Sequence, residues 1–158
     1  MRNTTRTALA ALIILATPAL GSTAWADAHS GAPADGDIAL PGDFKSWPLF
    51  AKHINKKAHV RDIYINATGA ASRPGEPLAD GTTFVMTIYN ATKDASGTPI
   101  RDAEGNLGKS SLAKVFVMKK GKGWGADVPE NQRTGDWVYA AYTADGAKAD
   151  VDYNACRA

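Results

Sequence analysis

The sequence predicts an α+β domain, a mostly antiparallel sheet with one N-terminal helix packed near it. Three observations carry this reading. Four stretches alternate with period two and are rich in β-branched and aromatic residues. One stretch before them places Phe44, Trp47 and Phe50 at spacing three and Ile54 four further on. Turn signals built on Gly, Asp, Asn and Pro separate the strands. A sheet of this kind has an apolar face that the helix, or something else flat and apolar, must cover.

Residues 1–26 read as a cleaved signal peptide. Arg2 and Arg6 form a positive n-region, Ala8 to Ala19 an apolar h-region, and Ala24-Trp25-Ala26 a small-x-small cleavage site. The apolar run is shorter than the roughly 20 residues of a membrane span and contains Pro18. The expectation is an exported, periplasmic protein with no membrane span after cleavage. The segment holds two of the 18 basic residues and none of the 16 acidic ones, so the remainder is neutral. That balance gives no reason to expect nucleic acid or an anionic membrane as partner.

Residues 27–42, rich in Ala, Gly, Asp and Pro, are expected to form a flexible leader, followed by one domain over 43–158. The helix is expected over 43–57, with Asp43 near its start, Pro48 inside it, and Lys52, Lys56 and Lys57 toward its end. The strands are 59–66, 82–90, 111–120 and 136–143. In the first, Val60, Asp62, Tyr64 and Asn66 share one face, and Arg61, Ile63 and Ile65 the other. In the second, Phe84, Met86 and Ile88 share a face.

Several chemistries find little footing. His53 and His59 do not fall on one helical face, and read as helix-end or surface residues rather than metal ligands. Lys119 to Gly125, KKGKGWG, lacks the Ser or Thr and the following helix of a phosphate loop. It reads as a hairpin turn whose Trp124 folds back on the sheet edge. Ser110 and Ser111 have no recognisable base and orienting partner for a hydrolase. The Asn-Ala-Thr triplets at 66–68 and 90–92 match a glycosylation pattern with little specificity.

The single cysteine, Cys156, is harder to place. In an exported protein a lone cysteine is a free thiol, an intermolecular bridge, or part of a motif. The segments HVRDIYIN, PLADGTTFVMTIYNA, AKVFVMKKGKGW, GDWVYAAY and DYNACRA resemble, in series, the cytochrome P460 family, which includes the β-type cytochromes c′. The resemblance spans about residues 43–158. It implies a single haem-binding domain and a haem c cofactor. Family members end this series with C-x-x-C-H, and Cys156-Arg157-Ala158 matches its first three positions. The resemblance therefore implies that Cys156 is a haem anchor, and that the second cysteine and the proximal histidine follow Ala158, the domain being incomplete as written.

The family's hydroxylamine oxidisers carry a lysine cross-linked to haem. Counting from Asp80-Gly81-Thr82, its place is taken by Met86, which has no amine. The resemblance thus implies a β-type cytochrome c′, binding nitric oxide or a related small ligand, or a one-electron carrier with a partner cytochrome. Phe84 and Met86 would form an apolar distal wall. Met86 would alternatively ligate iron, or simply pack in the core. Arg61 matches the family's R-x-x-Y-I strand and would serve the distal side or a haem propionate, or else lie exposed. The other readings are hydroxylamine or nitrogen-oxide oxidoreduction of the P460 type, and a haem-free binding module. Family members are typically dimers, so the resemblance also implies a homodimer.

Overall fold

The computed structural model describes residues 31–126 and 128–157. Five strands, β1 (Leu49–Lys56), β2 (His59–Ile65), β3 (Thr83–Ala91), β4 (Lys109–Lys120) and β5 (Trp137–Thr143), form one antiparallel sheet in the order β1-β2-β3-β4-β5. Each strand pairs antiparallel with its neighbour in sequence, across a two-residue link between β1 and β2 and across connections of 16 or 17 residues between the others. The one α-helix among the described residues is a single turn, α1 (Ala67–Ala70). The proposed signal peptide lies outside the described residues.

The helix expected over 43–57 is not there. Phe44–Ser46 forms a 3₁₀ turn, and Leu49–Lys56 is an edge strand. The spacing of three between Phe44 and Trp47 reflects that turn, in which side chains three apart eclipse. Pro48 then opens the strand, its carbonyl accepting the Ile65 N–H at 3.0 Å. Within β1 the register slips between Leu49 and Ala51 and again between Ala51 and Ile54. These bulges break the period of two that would have marked the segment as a strand. His53 sits in the second with φ 56°, a conformation uncommon for a non-glycine residue. Its N–H donates to Asp62 Oδ1 at 2.9 Å, and its Nε2 meets the Leu107 carbonyl at 2.9 Å. Asp62 also pairs with Lys109 and is buried.

Alternation in the strands makes two apolar faces. On one, Val85, Val115, Val117, Val138, Ala140 and Tyr142 pack with Ile38 and Phe44. The cover is the chain from Asp35 to Trp47, which acts as a strap. Phe44 meets Tyr64 edge-on at 5.5 Å, and Trp47 and Leu40 pack on the same cluster. Burying a side chain such as Phe44 contributes about 1.5–3 kcal/mol.

The strap also protects the sheet's second edge. Gly36 N–H donates to the Tyr139 carbonyl at 2.7 Å, and the Tyr139 N–H donates to Asp35 Oδ1 at 2.9 Å. The Tyr142 hydroxyl donates to the Ile38 carbonyl. From Asp35 onward, the stretch read as a flexible leader is therefore fastened to β5, because it caps edge groups that would otherwise stand open. Trp124 packs against this same core, its ring lying on Gly121, where an added Cβ would come within 2.2 Å of it.

Candidate functional site

No segment among the described residues covers the opposite face of the sheet. This face forms the floor of a cavity of about 470 Å³, within the range of roughly 300–1,000 Å³ found for small-molecule and cofactor sites. The strand registers set its rows. Ile63, Met86, Phe116 and Ala141 stand side by side across four strands, and Ile65, Phe84, Met118 and Tyr139 form the next row. Phe50, from the bulged part of β1, meets Phe84 edge-on with ring centroids 5.0 Å apart. Phe50 is 62% exposed, so it stands as a rim rather than a plug.

Cys156 enters from the other flank. It closes a 3₁₀ turn, Tyr153–Cys156, whose start is capped by Asp152 accepting the Asn154 N–H at 2.9 Å. The turn is clipped to β5 in two places. The Tyr153 hydroxyl accepts the Ala141 N–H at 3.2 Å. Arg157 Nη2 donates to both carboxylate oxygens of Asp35, at 2.8 and 2.9 Å, and the guanidinium lies over the Tyr139 ring at 4.8 Å. Ala155 and Cys156 consequently line the cavity. Burial pushes the Cys156 thiol above its ordinary pKa, and the nearby Asp35 carboxylate adds to this; Asp152 acts the same way, while Arg157 opposes it.

The third group comprises two cations. Arg61 and Lys56 line the cavity at the β1–β2 end. Neither is in an ion pair among the described residues. The Arg61 Nε is buried with no hydrogen-bond partner among them. Buried polar groups are nearly always partnered, so an orphaned N–H in a cavity wall marks a place for a ligand atom.

The sequence placed Phe84, Met86, Arg61 and Cys156 at a site, and all four line this one cavity. It missed Phe50 and Lys56, which were hidden in the expected helix. It also missed Phe116, Met118 and Tyr139, although alternation about Val115 and Val117 would have turned Phe116 to this side. Among the described residues no three His, Cys, Asp or Glu side chains gather to hold a metal ion. None of their helices is long and apolar enough to cross a membrane.

A sequence profile for cytochrome P460 matches residues 41–158. The chain belongs to the cytochrome P460 family. No curated protein matches it. The family is one of haem proteins, and the cavity can be tested against that group. Apolar and aromatic walls, a thiol at one flank, and an unpaired guanidinium at the other are what a flat apolar ring with acidic substituents needs. The residues of this P460 domain fit haem.

Proposed function

We propose that this P460-family chain is an exported c-type haem protein that binds nitric oxide or a related small neutral ligand. The observation that carries this reading is the placement of Cys156 on the cavity lined by Phe84 and Met86. Cys156 would hold the cofactor through a thioether, Phe84 and Met86 would form its distal wall, and Arg61 would meet its polar edge. When bound, haem supplies an iron that takes up diatomic ligands and exchanges electrons.

The chain's own residues decide which ligands enter. Phe50, Phe84, Phe116 and Ile63 offer no hydrogen-bond donor or acceptor, so they disfavour charged or strongly hydrated molecules. Met86 stands mid-sheet between Ile63 and Phe116. It has no amine, so the cross-link that accompanies hydroxylamine oxidation in the family has no partner at this position.

One observation favours a second reading. The Met86 thioether lines the cavity, and sulfur of this type is a ligand in His/Met electron-transfer haems. In that case the chain passes one electron to a partner cytochrome.

The test is maturation of the gene product in a host that assembles c-type cytochromes. Haem is expected to stay attached through denaturing electrophoresis in the wild type, and Cys156→Ala is expected to lower the yield of attached haem and to shift the visible spectrum, since one of two thioethers is lost. Colourless wild-type protein would overturn the proposal. The visible spectrum of the reduced protein separates the two readings: five-coordinate haem that takes up nitric oxide belongs to the first, and low-spin His/Met haem, lost in Met86→Ala, to the second.

A further inference from the structure

His59, Ser110 and Ser111 have no part in the cavity that fits haem, and the fold brings them together elsewhere. A second cavity, of about 540 Å³, is lined by His59, Asn90, Lys93, Ser110, Ser111 and two alanines. It shares no lining residue with the first. A bulge in β4 builds its wall. Tyr89 lies opposite Leu112 and Ala91 opposite Lys109, so two residues, Ser110 and Ser111, face the single residue Asn90. In a regular strand successive side chains part to opposite faces. The extra residue brings both hydroxyls to one pocket. His59 stands opposite Asn90 on the other side, in β2. Lys93, just past β3, is held by a bridge to Pro99.

The hydrogen bonds decide which groups are free. Asn90 Nδ2 donates to Ser111 Oγ at 3.0 Å, and the Ser110 hydroxyl donates to the Asn90 carbonyl at 3.1 Å. The Ser110 proton is thus engaged, whereas Ser111 accepts and keeps its own proton to donate. Neither Lys93 nor His59 is in an ion pair among the described residues. No carboxylate lines the cavity. The carboxylates closest in sequence to Lys93 and His59 are engaged elsewhere. Asp94 accepts the Ser96 and Thr98 N–H groups at 2.9 Å each, and Asp62 pairs with Lys109. Donors from three segments therefore meet with a positive charge and no opposing one. A planar carboxylate is matched best by an arginine fork, and no arginine lines this cavity. Donors arriving from three directions suit the three terminal oxygens of a phosphate group.

We propose that this pocket binds a phosphate group, free or as a monoester, with Lys93 supplying charge and Ser111 and the His59 ring supplying hydrogen bonds. The site stands apart from the haem cavity and does not rest on the haem reading.

The experiment titrates the purified, isotope-labelled chain with inorganic phosphate at constant ionic strength and follows the backbone amide signals by NMR. Saturable shifts are expected at His59, residues 90–93 and residues 110–111. Ser111→Ala, at an exposed position, is expected to weaken binding about tenfold, as for a lost hydrogen bond to a charged group. Lys93→Gln should weaken it about twofold to fivefold. Lys122→Gln, which removes an exposed lysine outside the pocket, should leave binding unchanged. Glycerol 3-phosphate, run in parallel, distinguishes the sources: tighter binding than phosphate assigns a monoester, weaker binding the free ion, and either supports the site.

Shifts that rise linearly without saturating, or that spread over lysines across the surface, would overturn the proposal. So would an effect of Lys122→Gln equal to that of Lys93→Gln, which would reduce the binding to general charge. Acetate binding as tightly as phosphate would overturn the phosphate assignment. Displacement of phosphate by an equimolar polyglutamate peptide would make the pocket a docking point for an acidic protein and overturn it as well.

Discussion

The two faces of the sheet are built from alternate residues of the same strands, and they differ in what closes them. Val85 and Val117 turn to a face sealed by Ile38 and Phe44 from the strap. Met86 and Phe116, one residue along, turn to a face with no covering segment among the described residues. Packing area alone would make both faces core. What distinguishes them is that the strap can cover only one, and that the other gathers a thiol and two unpaired cations at its flanks. A sheet with one finished and one unfinished apolar face is a stable platform for a flat cofactor, because the finished side holds the fold while the other side stays open.

If this division of labour is right, mutations on the sealed face should dominate stability. Phe44→Ala removes the side chain through which the strap plugs the core, and the expected loss is about 3–5 kcal/mol. Chemical denaturation measures it. A loss below about 1 kcal/mol, the ordinary effect of a point mutation, would mean that the strap is dispensable.

The next effect tests the clasp that joins the two faces. Asp35 accepts the Tyr139 N–H and holds Arg157, the residue after Cys156. Asp35→Asn is expected to cost about 1.5–3 kcal/mol, the range for hydrogen bonds to charged groups. It should also speed alkylation of Cys156 by iodoacetamide, since the carboxylate that helps raise the thiol pKa is gone. Loss of stability with no change in alkylation would separate the clasp from the site.

These contrasts mark how much could be read from the chain. Alternation placed Phe84, Met86 and Ile88 together on one face of their strand, and Arg61 and Ile63 together on one face of theirs, because regular strands turn successive side chains in a fixed order. The segment around Phe50 was opaque. Its first turn is 3₁₀ and its strand is bulged, so a short run of spacing three and four imitated a helix. The Asp35–Arg157 clasp joins residues 122 apart in sequence, and composition around Asp35 reads as a loose leader. Its order comes from capping a strand edge whose position only the assembled sheet defines. Cys156 drew notice through its likeness to the family's motif, whereas the place of Lys56 at the end of the cavity depends on the β1 register.

A third perturbation acts through pH. At Asp62, desolvation by burial pushes the pKa up, but the His53 N–H, the Lys109 hydrogen bond and the charges of Lys109 and His53 together hold it below the ordinary aspartate value. A depressed folded-state pKa adds stability that is present above the unfolded value of about 3.9 and is lost as pH falls through the folded one. Asp62 fixes the β1 bulge from the sealed side of the sheet. Asp62→Asn should therefore melt below wild type at pH 7, with the gap narrowing as the pH drops below about 4. A gap independent of pH would show that shape, not charge, holds the bulge.

The smallest expected effect on stability is the most pointed test of the open face. Phe50 touches Phe84 at 5.0 Å but is 62% exposed. Little apolar area leaves water when the protein folds around it, so Phe50→Ala should change stability by no more than about 0.5 kcal/mol. The same exposed ring stands at the rim of the open apolar face, where a hydrophobic dye would be expected to bind. Dye fluorescence on the purified chain should fall in Phe50→Ala, while Phe44→Ala should raise it by loosening the strap. If Phe50→Ala instead cost as much as Phe44→Ala, the rim would be part of the core, and the distinction between a finished and an unfinished face would fail at the residue where it is sharpest.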